Sequence, residues 1–456
     1  MLRRTHIARA ALALLTVAFG GGTLRAWQGP AESAASGTSA RTAPETAEDE
    51  QTLANVVEAL ASVDEQATPT QNARPLLDLG PEAIRASLSI LFNGALPGSV
   101  EGSATAPIPL SEAQREALLM MLDRSPREAL FSQLSSLVRD GIQGSRVHAF
   151  ELLGVHAKRK DVALFVECAA DRERSSSESD ALISGLASTF EREAHGISEL
   201  YSLWTDLEPE LKVDIARSLG RTGGVRALEF LSDALRESRG AHTSQLIVEA
   251  GRLAPWADVD HTEELGDLLV PLISMGNERS VRAASILALG KLDAHDAADE
   301  LIELLDEELD GIRDNAQWAL SEMTGLSYEG SRRWQRWYDK ESDWLTNDAE
   351  NQFDRLRSES PSEVADALRI IARHRLQRDE LSANVKEALS HESPSIRAMA
   401  CHTLGQIGSR RVVNELVEAL DDEPNVRQAA AQALQRITGK ELPAERDAWS
   451  EAVLRG

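Results

Sequence analysis

Histidine pairs, close-set carboxylates, two cysteines and a run of tryptophans are the places where this sequence could do chemistry. His148 and His156 lie eight apart and share a helical face loosely, but a zinc site needs three or four ligands and no third lies nearby. They read as surface or packing histidines. Asp306, Glu308, Asp310 and Gly311 imitate the start of a calcium loop, yet its twelfth position is Gln317 where a bidentate Glu is wanted. Asp421-Asp422-Glu423 reads as a turn rather than an acid–base pair. The chain shows no Gly-x-Ser-x-Gly elbow, phosphate loop, His-Glu-x-x-His or dinucleotide fingerprint. The expectation is therefore no catalysis, no cofactor and no metal. Cys168 and Cys401 are expected to be unpaired, mostly buried thiols, because many stacked helices should separate them beyond the ~7 Å that a disulfide spans. Trp334, Trp337 and Trp344 fall on one helical face beside Arg332, Arg333 and Arg336. They are either a platform for stacking sugars or peptides, or a cap that closes the apolar end of a repeat array.

The elements that would position such residues follow one template. A branched apolar residue is followed by a small one four on, another seven on, Leu eight on and an apolar residue eleven on, which traces one face of an α-helix. Four helices fit it: Val281, Ser285, Ala288, Leu289, Leu292; Ile312, Ala316, Ala319, Leu320, Met323; Ile396, Ala400, Thr403, Leu404, Ile407; and Val426, Ala430, Ala433, Leu434, Ile437. Small residues in mid-face let a neighbouring helix approach closely. Between the paired helices, Leu301/Leu304/Leu305 and Leu416/Val417/Leu420 give a second apolar stripe. The unit is a helix hairpin of about thirty residues that buries its face only by stacking.

The runs VRAASILALGKL, IRDNAQWALSEM, IRAMACHTLGQIG and VRQAAAQALQRI resemble the second helix of HEAT repeats, in particular the short bacterial, PBS-lyase-like kind. The resemblance implies an all-α, right-handed αα superhelix, a HEAT-like solenoid of antiparallel hairpins with a binding surface and no particular reaction. It also implies a ladder in which an Asp in the turn and an Arg early in the second helix link neighbouring repeats. Asp306 with Arg313, and Asp421 or Asp422 with Arg427, take those places, while Arg282 and Arg397 lack so clear an Asp.

The register runs further than the repeats. Val281, Ile312, Thr324 and Trp334 recur at Ile396, Val426, Thr438 and Trp449, always 114 or 115 residues on. A whole module with a Trp-bearing tail is duplicated, and that favours the cap over the platform.

Residues 1–26 read as a signal peptide or N-terminal anchor: Arg3, Arg4 and Arg9 lead into the apolar run Ala10–Phe19, followed by Gly20–Gly22 and a cut near Ala26. The Arg pair hints at twin-arginine export, although His6 stands where an apolar residue is wanted. Removal takes away four arginines and no acid, moving the formal charge from −26 to −30. With 74 acids against 48 bases, nucleic acid is not an expected partner. A membrane partner is expected only if residues 10–22 stay as an anchor.

Residues 27–50 read as a disordered linker, 51–125 as an N-terminal helical region with helix from about Leu53 and over Pro75–Phe92, and 126–325 as HEAT-like repeats. A Trp-rich cap follows over 326–348, then a second repeat block with its own cap over 349–456. Ser111 with Gln114 forms a capping box ahead of a helix to Leu122, and Asn93–Pro109 is a loop. The reading is an exported, non-catalytic scaffold of the periplasm or cell envelope that binds a protein partner through its solenoid surface. The alternatives are a bilin-lyase-like or cofactor-maturation role, as in some relatives with these repeats, and cell-wall glycan binding through the Trp segment.

Overall fold

The computed structural model describes residues 47–96, 107–141, 143–171, 173–240, 242–254 and 259–454. The expected signal segment, and residues 27–46 of the expected linker, lie outside them. The chain divides into two compact units, Met1–Phe230 and Leu231–Gly456. Both are built of helices.

In the first unit, α1 (Ala47–Ala61) starts several residues before Leu53, inside the stretch read as linker. Its first turn carries Glu48, Asp49 and Glu50, and carboxylates there satisfy the positive end of the helix dipole. What reads as one helix over Pro75–Phe92 is two, α2 (Pro69–Asp78) and α3 (Ala83–Asn93). Pro81 and Gly80, at φ 81°, break the path between them. Thr68 and Gln71 cap α2 reciprocally. Of the expected loop Asn93–Pro109, residues 97–106 lie outside the described residues, and its flanks form a two-residue antiparallel ribbon with Ala95 opposite Pro109 and Leu96 opposite Ile108. The expected Ser111–Gln114 box opens α4 (Glu112–Arg124), with Gln114 N–H donating to Ser111 Oγ at 3.2 Å.

Hairpins then follow: α5 (Arg127–Asp140) with α6 (Gln143–His156), and α7 (Val162–Ala170) with α8 (Ser176–Arg192). The next first element is a pair of 3-10 turns, Ala194–Ser202 and Trp204–Asp206, before α9 (Pro209–Thr222). Helix α10 (Val225–Glu237) crosses the boundary between the units.

The second unit continues with α11 (Thr243–Leu253), α12 (Val259–Leu269), α13 (Arg279–Leu292), α14 (Ala298–Glu303) and α15 (Asp310–Thr324). The Trp helix α16 (Ser331–Asn347) leads to α17 (Ala349–Leu356), α18 (Pro361–Ile371) and α19 (Arg378–Val385). The second module is α20 (Pro394–Ile407), α21 (Val413–Glu418), α22 (Pro424–Thr438) and the tail helix α23 (Arg446–Leu454). Every template residue of α13, α15, α20 and α22 is buried. The small members permit close crossing: a Cβ on Gly290 would meet Ala319 Cα at 2.8 Å, and one on Gly405 would meet Ala433 Cα at 2.8 Å.

Candidate functional site

Two sets of polar groups run through the stack. The first is a ladder of arginines. Arg282 donates from Nε to the Ile273 carbonyl at 2.7 Å and from Nη2 to both Glu307 oxygens at 2.8 and 2.6 Å. The two side chains are only 4% and 8% exposed. Arg397 repeats the arrangement, with Nη1 on the His391 carbonyl at 2.9 Å and Nε and Nη2 on Asp422 at 2.6 and 2.7 Å. Each arginine covers the carbonyl end of its own first element, then reaches the turn of the next hairpin. Orphan carbonyls and a carboxylate are satisfied together. The bond from Arg397 holds the Asp422 carboxyl below its ordinary range against the opposing effect of burial.

The ladder links neighbouring repeats, but not through the Asp–Arg pairs that fit its places in the sequence. Arg313 donates to the Glu307 carbonyl at 3.1 Å and pairs with Asp310, while Asp306 accepts from Ser331 Oγ at 2.8 Å. Among the described residues Arg427 reaches only the carbonyls of Leu420 and Asp422, at 2.8 and 3.2 Å, and Asp421 pairs with Arg446 at 2.6 Å. The arginine thus looks forward one hairpin, and Arg282 and Arg397, which lack an obvious Asp nearby, are the ones with carboxylate partners in the next hairpin. The same rungs exist in the first unit, where the template fades. Arg146 donates to the Val138 carbonyl at 2.7 Å and pairs with Glu178 at 2.9 Å, with 2% and 4% exposure. Arg174 donates to the Ala169 carbonyl at 2.6 Å and pairs with Asp214 at 3.0 Å. The signal for Arg146 was a reversed dipeptide, Arg before Val147 rather than after it.

The second set is the duplicated tail. Trp334 Nε1 donates to the carbonyl six residues earlier, Tyr328, at 3.0 Å, and Trp449 Nε1 does the same to Pro443 at 2.9 Å. Thr324 and Thr438 bond back to Leu320 and Leu434 at 2.7 and 2.8 Å, then accept from the N–H of Leu326 and Lys440 at 3.1 and 3.2 Å. Asp306 to Ser331 and Asp421 to Arg446 are likewise equivalent contacts, each spanning 25 residues. The Trp rings are buried: Trp334 and Trp449 at 0%, Trp337 and Trp344 at 8%. Trp337 meets Trp334 edge-on at 5.5 Å, and Trp344 stacks on His374 at 3.5 Å. No open ring face remains on these four for a sugar.

The first tail leads to a polar junction on the turn before α19. Arg378 donates to both Asp293 oxygens at 2.6 and 3.1 Å, Gln377 donates to Asp296 at 2.8 Å, and His295 lies 3.1 Å from Asp293. Burial alone would raise the Asp293 pKa, but the His295 and Arg378 charges outweigh it and hold it at about 2. Asp293 has φ 61°, where the equivalent end of α20 uses Gly408 at φ 84°. The left-handed cap is thus kept by a side chain that is bound on both oxygens. Glu341 faces His374 at 3.3 Å and accepts the N–H of Arg375 and Leu376 at 2.8 and 3.2 Å.

The remaining candidates are embedded in packing. His148 bonds Glu151 at 3.1 Å and lies against Phe92, and burial lowers the His156 pKa. Cys168 and Cys401 are free and buried, and burial pushes the Cys401 thiol up to about 12. Among the described residues no group of three or more His, Cys, Asp or Glu is arranged to hold a metal ion, and no helix is long and apolar enough to cross a membrane.

Stacked antiparallel hairpins, small mid-face residues and an arginine ladder define an all-α helical-repeat solenoid. Two stretches match family models, residues 351–435 as HEAT repeats and residues 281–307 as a PBS lyase HEAT-like repeat. Over those two stretches the sequence carries HEAT repeats. No curated protein matches it. Among solved structures it is similar to an engineered protein (16% identity, 87% of this chain and 96% of that one, TM-score 0.31). It is also similar to human deoxyhypusine hydroxylase in complex with glycerol (17%, 69% and 98%, 0.22) and to the karyopherin Kap121p bound to Ste12p (15%, 85% and 45%, 0.37).

Proposed function

We propose that the chain is an exported, non-catalytic HEAT-repeat scaffold of the periplasm or cell envelope that binds a protein partner through its solenoid surface. The observation that carries the reading is where the strong polar groups are used. Arg146, Glu178, Arg174, Asp214, Arg282 and Glu307 are all buried or nearly so and all paired between hairpins, so they hold the stack together rather than converge on a substrate cleft. A repeat array of this kind offers an extended surface as its main resource. Export rests on the signal-like pattern of residues 1–26. Buried rings on all four tail tryptophans leave the glycan reading without a stacking face.

Affinity capture with the mature chain from its native envelope tests the proposal. The expected result is a protein retained in fixed stoichiometry. A visible absorption band acquired on mixing with a tetrapyrrole, with no protein retained, would replace the scaffold with the pigment-handling alternative.

A further inference from the structure

Two of the described residues other than Gly have left-handed backbone, Asp293 at φ 61° and Gln377 at φ 56°. Side-chained residues are strained there, a Gln more than an Asp. The other helix ends that turn this way do so at Gly94, Gly223, Gly325, Gly408 and Gly439. The two exceptions are far apart in sequence, yet they belong to one contact. Asp293, at the end of α13, accepts both bonds from Arg378, and Gln377, just ahead of α19, donates to Asp296 at 2.8 Å. A Gly would relax either turn but could not make the bond.

The contact joins parts that the apolar core does not. The core that runs from Trp344 to Trp449 holds no residue of α11–α15. Helix α16 bridges the two sides, since Trp334 donates to Gln317 of α15 at 3.2 Å while Trp344 belongs to the later core. Away from α16, polar groups cross the gap. Arg378 passes over the end of α15, donating from Nη2 to the Glu322 carbonyl at 3.4 Å. Arg411, ahead of α21, pairs with Asp379 and donates to Thr262 of α12 at 2.9 Å. The bonds to Asp296, Asp293 and Thr262 span 81, 85 and 149 residues, against 25 for the rungs from Arg282 and Arg397. They tie the turn after α13 and the start of α12 to the turns before α19 and α21. Glu341 of α16 steadies the turn before α19 from its other side, through the N–H groups of Arg375 and Leu376.

We infer that this network is a latch between the duplicated modules, with Asp293, Asp296 and Thr262 on one side and Gln377, Arg378 and Arg411 on the other, closed here and able to open without unfolding either module. Backbone strain at both jaws persists only where the surroundings over-determine it, and strain of this kind gathers at switch regions. Polar groups that part can exchange their partners for water, which apolar faces cannot. Opening lengthens the second unit and changes the curve of the surface it offers. The latch concerns how the modules are held, so it does not depend on what the scaffold binds.

The test uses the full chain with Asp293→Gly and, on the opposite jaw, Gln377→Gly. Glycine adopts the left-handed turn without strain, so each variant deletes the bonding side chain and leaves the local backbone at ease. Hydrogen exchange and small-angle X-ray scattering read the result. Asp293→Gly is expected to speed exchange over 372–379 about tenfold or more, Gln377→Gly to do the same over 293–297, and both to raise the radius of gyration. Protection over 312–323 and 396–407, inside the two modules, should stay at the wild-type level. Two ordinary helix ends would respond differently, because glycine at one would leave the distant turn untouched. Unchanged exchange at the distant turn, an unchanged radius of gyration, or protection lost throughout both modules overturns the latch.

Discussion

Arg282 and Glu307 illustrate how a single residue type can hold a repeat array in register. Two charges taken from water cost several kcal/mol each, and the bidentate geometry plus the bond to the Ile273 carbonyl offsets that cost. Removing one partner strands the other. Arg282→Ala is expected to destabilise the second unit by about 3–5 kcal/mol, measured as a shift in urea midpoint at constant slope. Arg313→Ala, at a side chain 40% exposed that pairs with the exposed Asp310 and donates to the Glu307 carbonyl, should fall within about 1 kcal/mol of wild type. Equal losses from the two variants would show that the forward rung is not the stronger contact. Asp293 gives the acid-side counterpart. Its folded pKa lies below the ordinary 3.8, at about 2, so its contribution is complete above pH ~4 and is lost as pH falls through that window. Asp293→Asn, which keeps the left-handed backbone accessible, should lower stability at pH 7 and flatten its decline between pH 4 and 2. A variant with an unchanged acid slope would remove Asp293 from the account.

Element packing depends on what is missing from the helix surface. Gly154 of α6 and Gly185 of α8 cross so closely that a Cβ on Gly154 would fall 2.2 Å from Gly185 Cα. Gly405 against Ala433 repeats the device between α20 and α22. For Gly405→Ala, higher helix propensity would add up to ~1 kcal/mol, but contacts of 2.8 Å with both Ala433 Cα and Cβ must open, at about 1–3 kcal/mol. Packing should win and the melting temperature should fall. A Cβ on Gly276 would meet nothing within 4 Å, so Gly276→Ala should not show that loss. A rise in melting temperature for Gly405→Ala would mean that the two helices separate without cost.

At the scale of the whole molecule, legibility follows the regularity of the repeats. The template residues of α13, α15, α20 and α22, and the register linking Trp334 to Trp449, could be read because period and residue size coincide there. The first unit hid its rungs: Arg146 and Arg174 find acids 32 and 40 residues on, where the regular repeats use 25. Which acid each arginine takes was not legible either: Arg282 and Arg397 reach Glu307 and Asp422, while Asp306 and Arg313 turn to Ser331 and Asp310.

An array whose elements touch mainly their neighbours should also transmit damage locally. Trp449 is fully buried and bonded to Pro443, at the close of the second module. Trp449→Ala is expected to cost about 3–5 kcal/mol, and hydrogen exchange on the full chain should place that loss. Protection should fall over 394–454, where Trp449 shares one apolar core with Leu416, Leu434 and their neighbours, and stay unchanged over 143–222 in the other unit. A uniform fall in protection would show that the chain unfolds as one cooperative body, and the duplicated tail would then be no local closure.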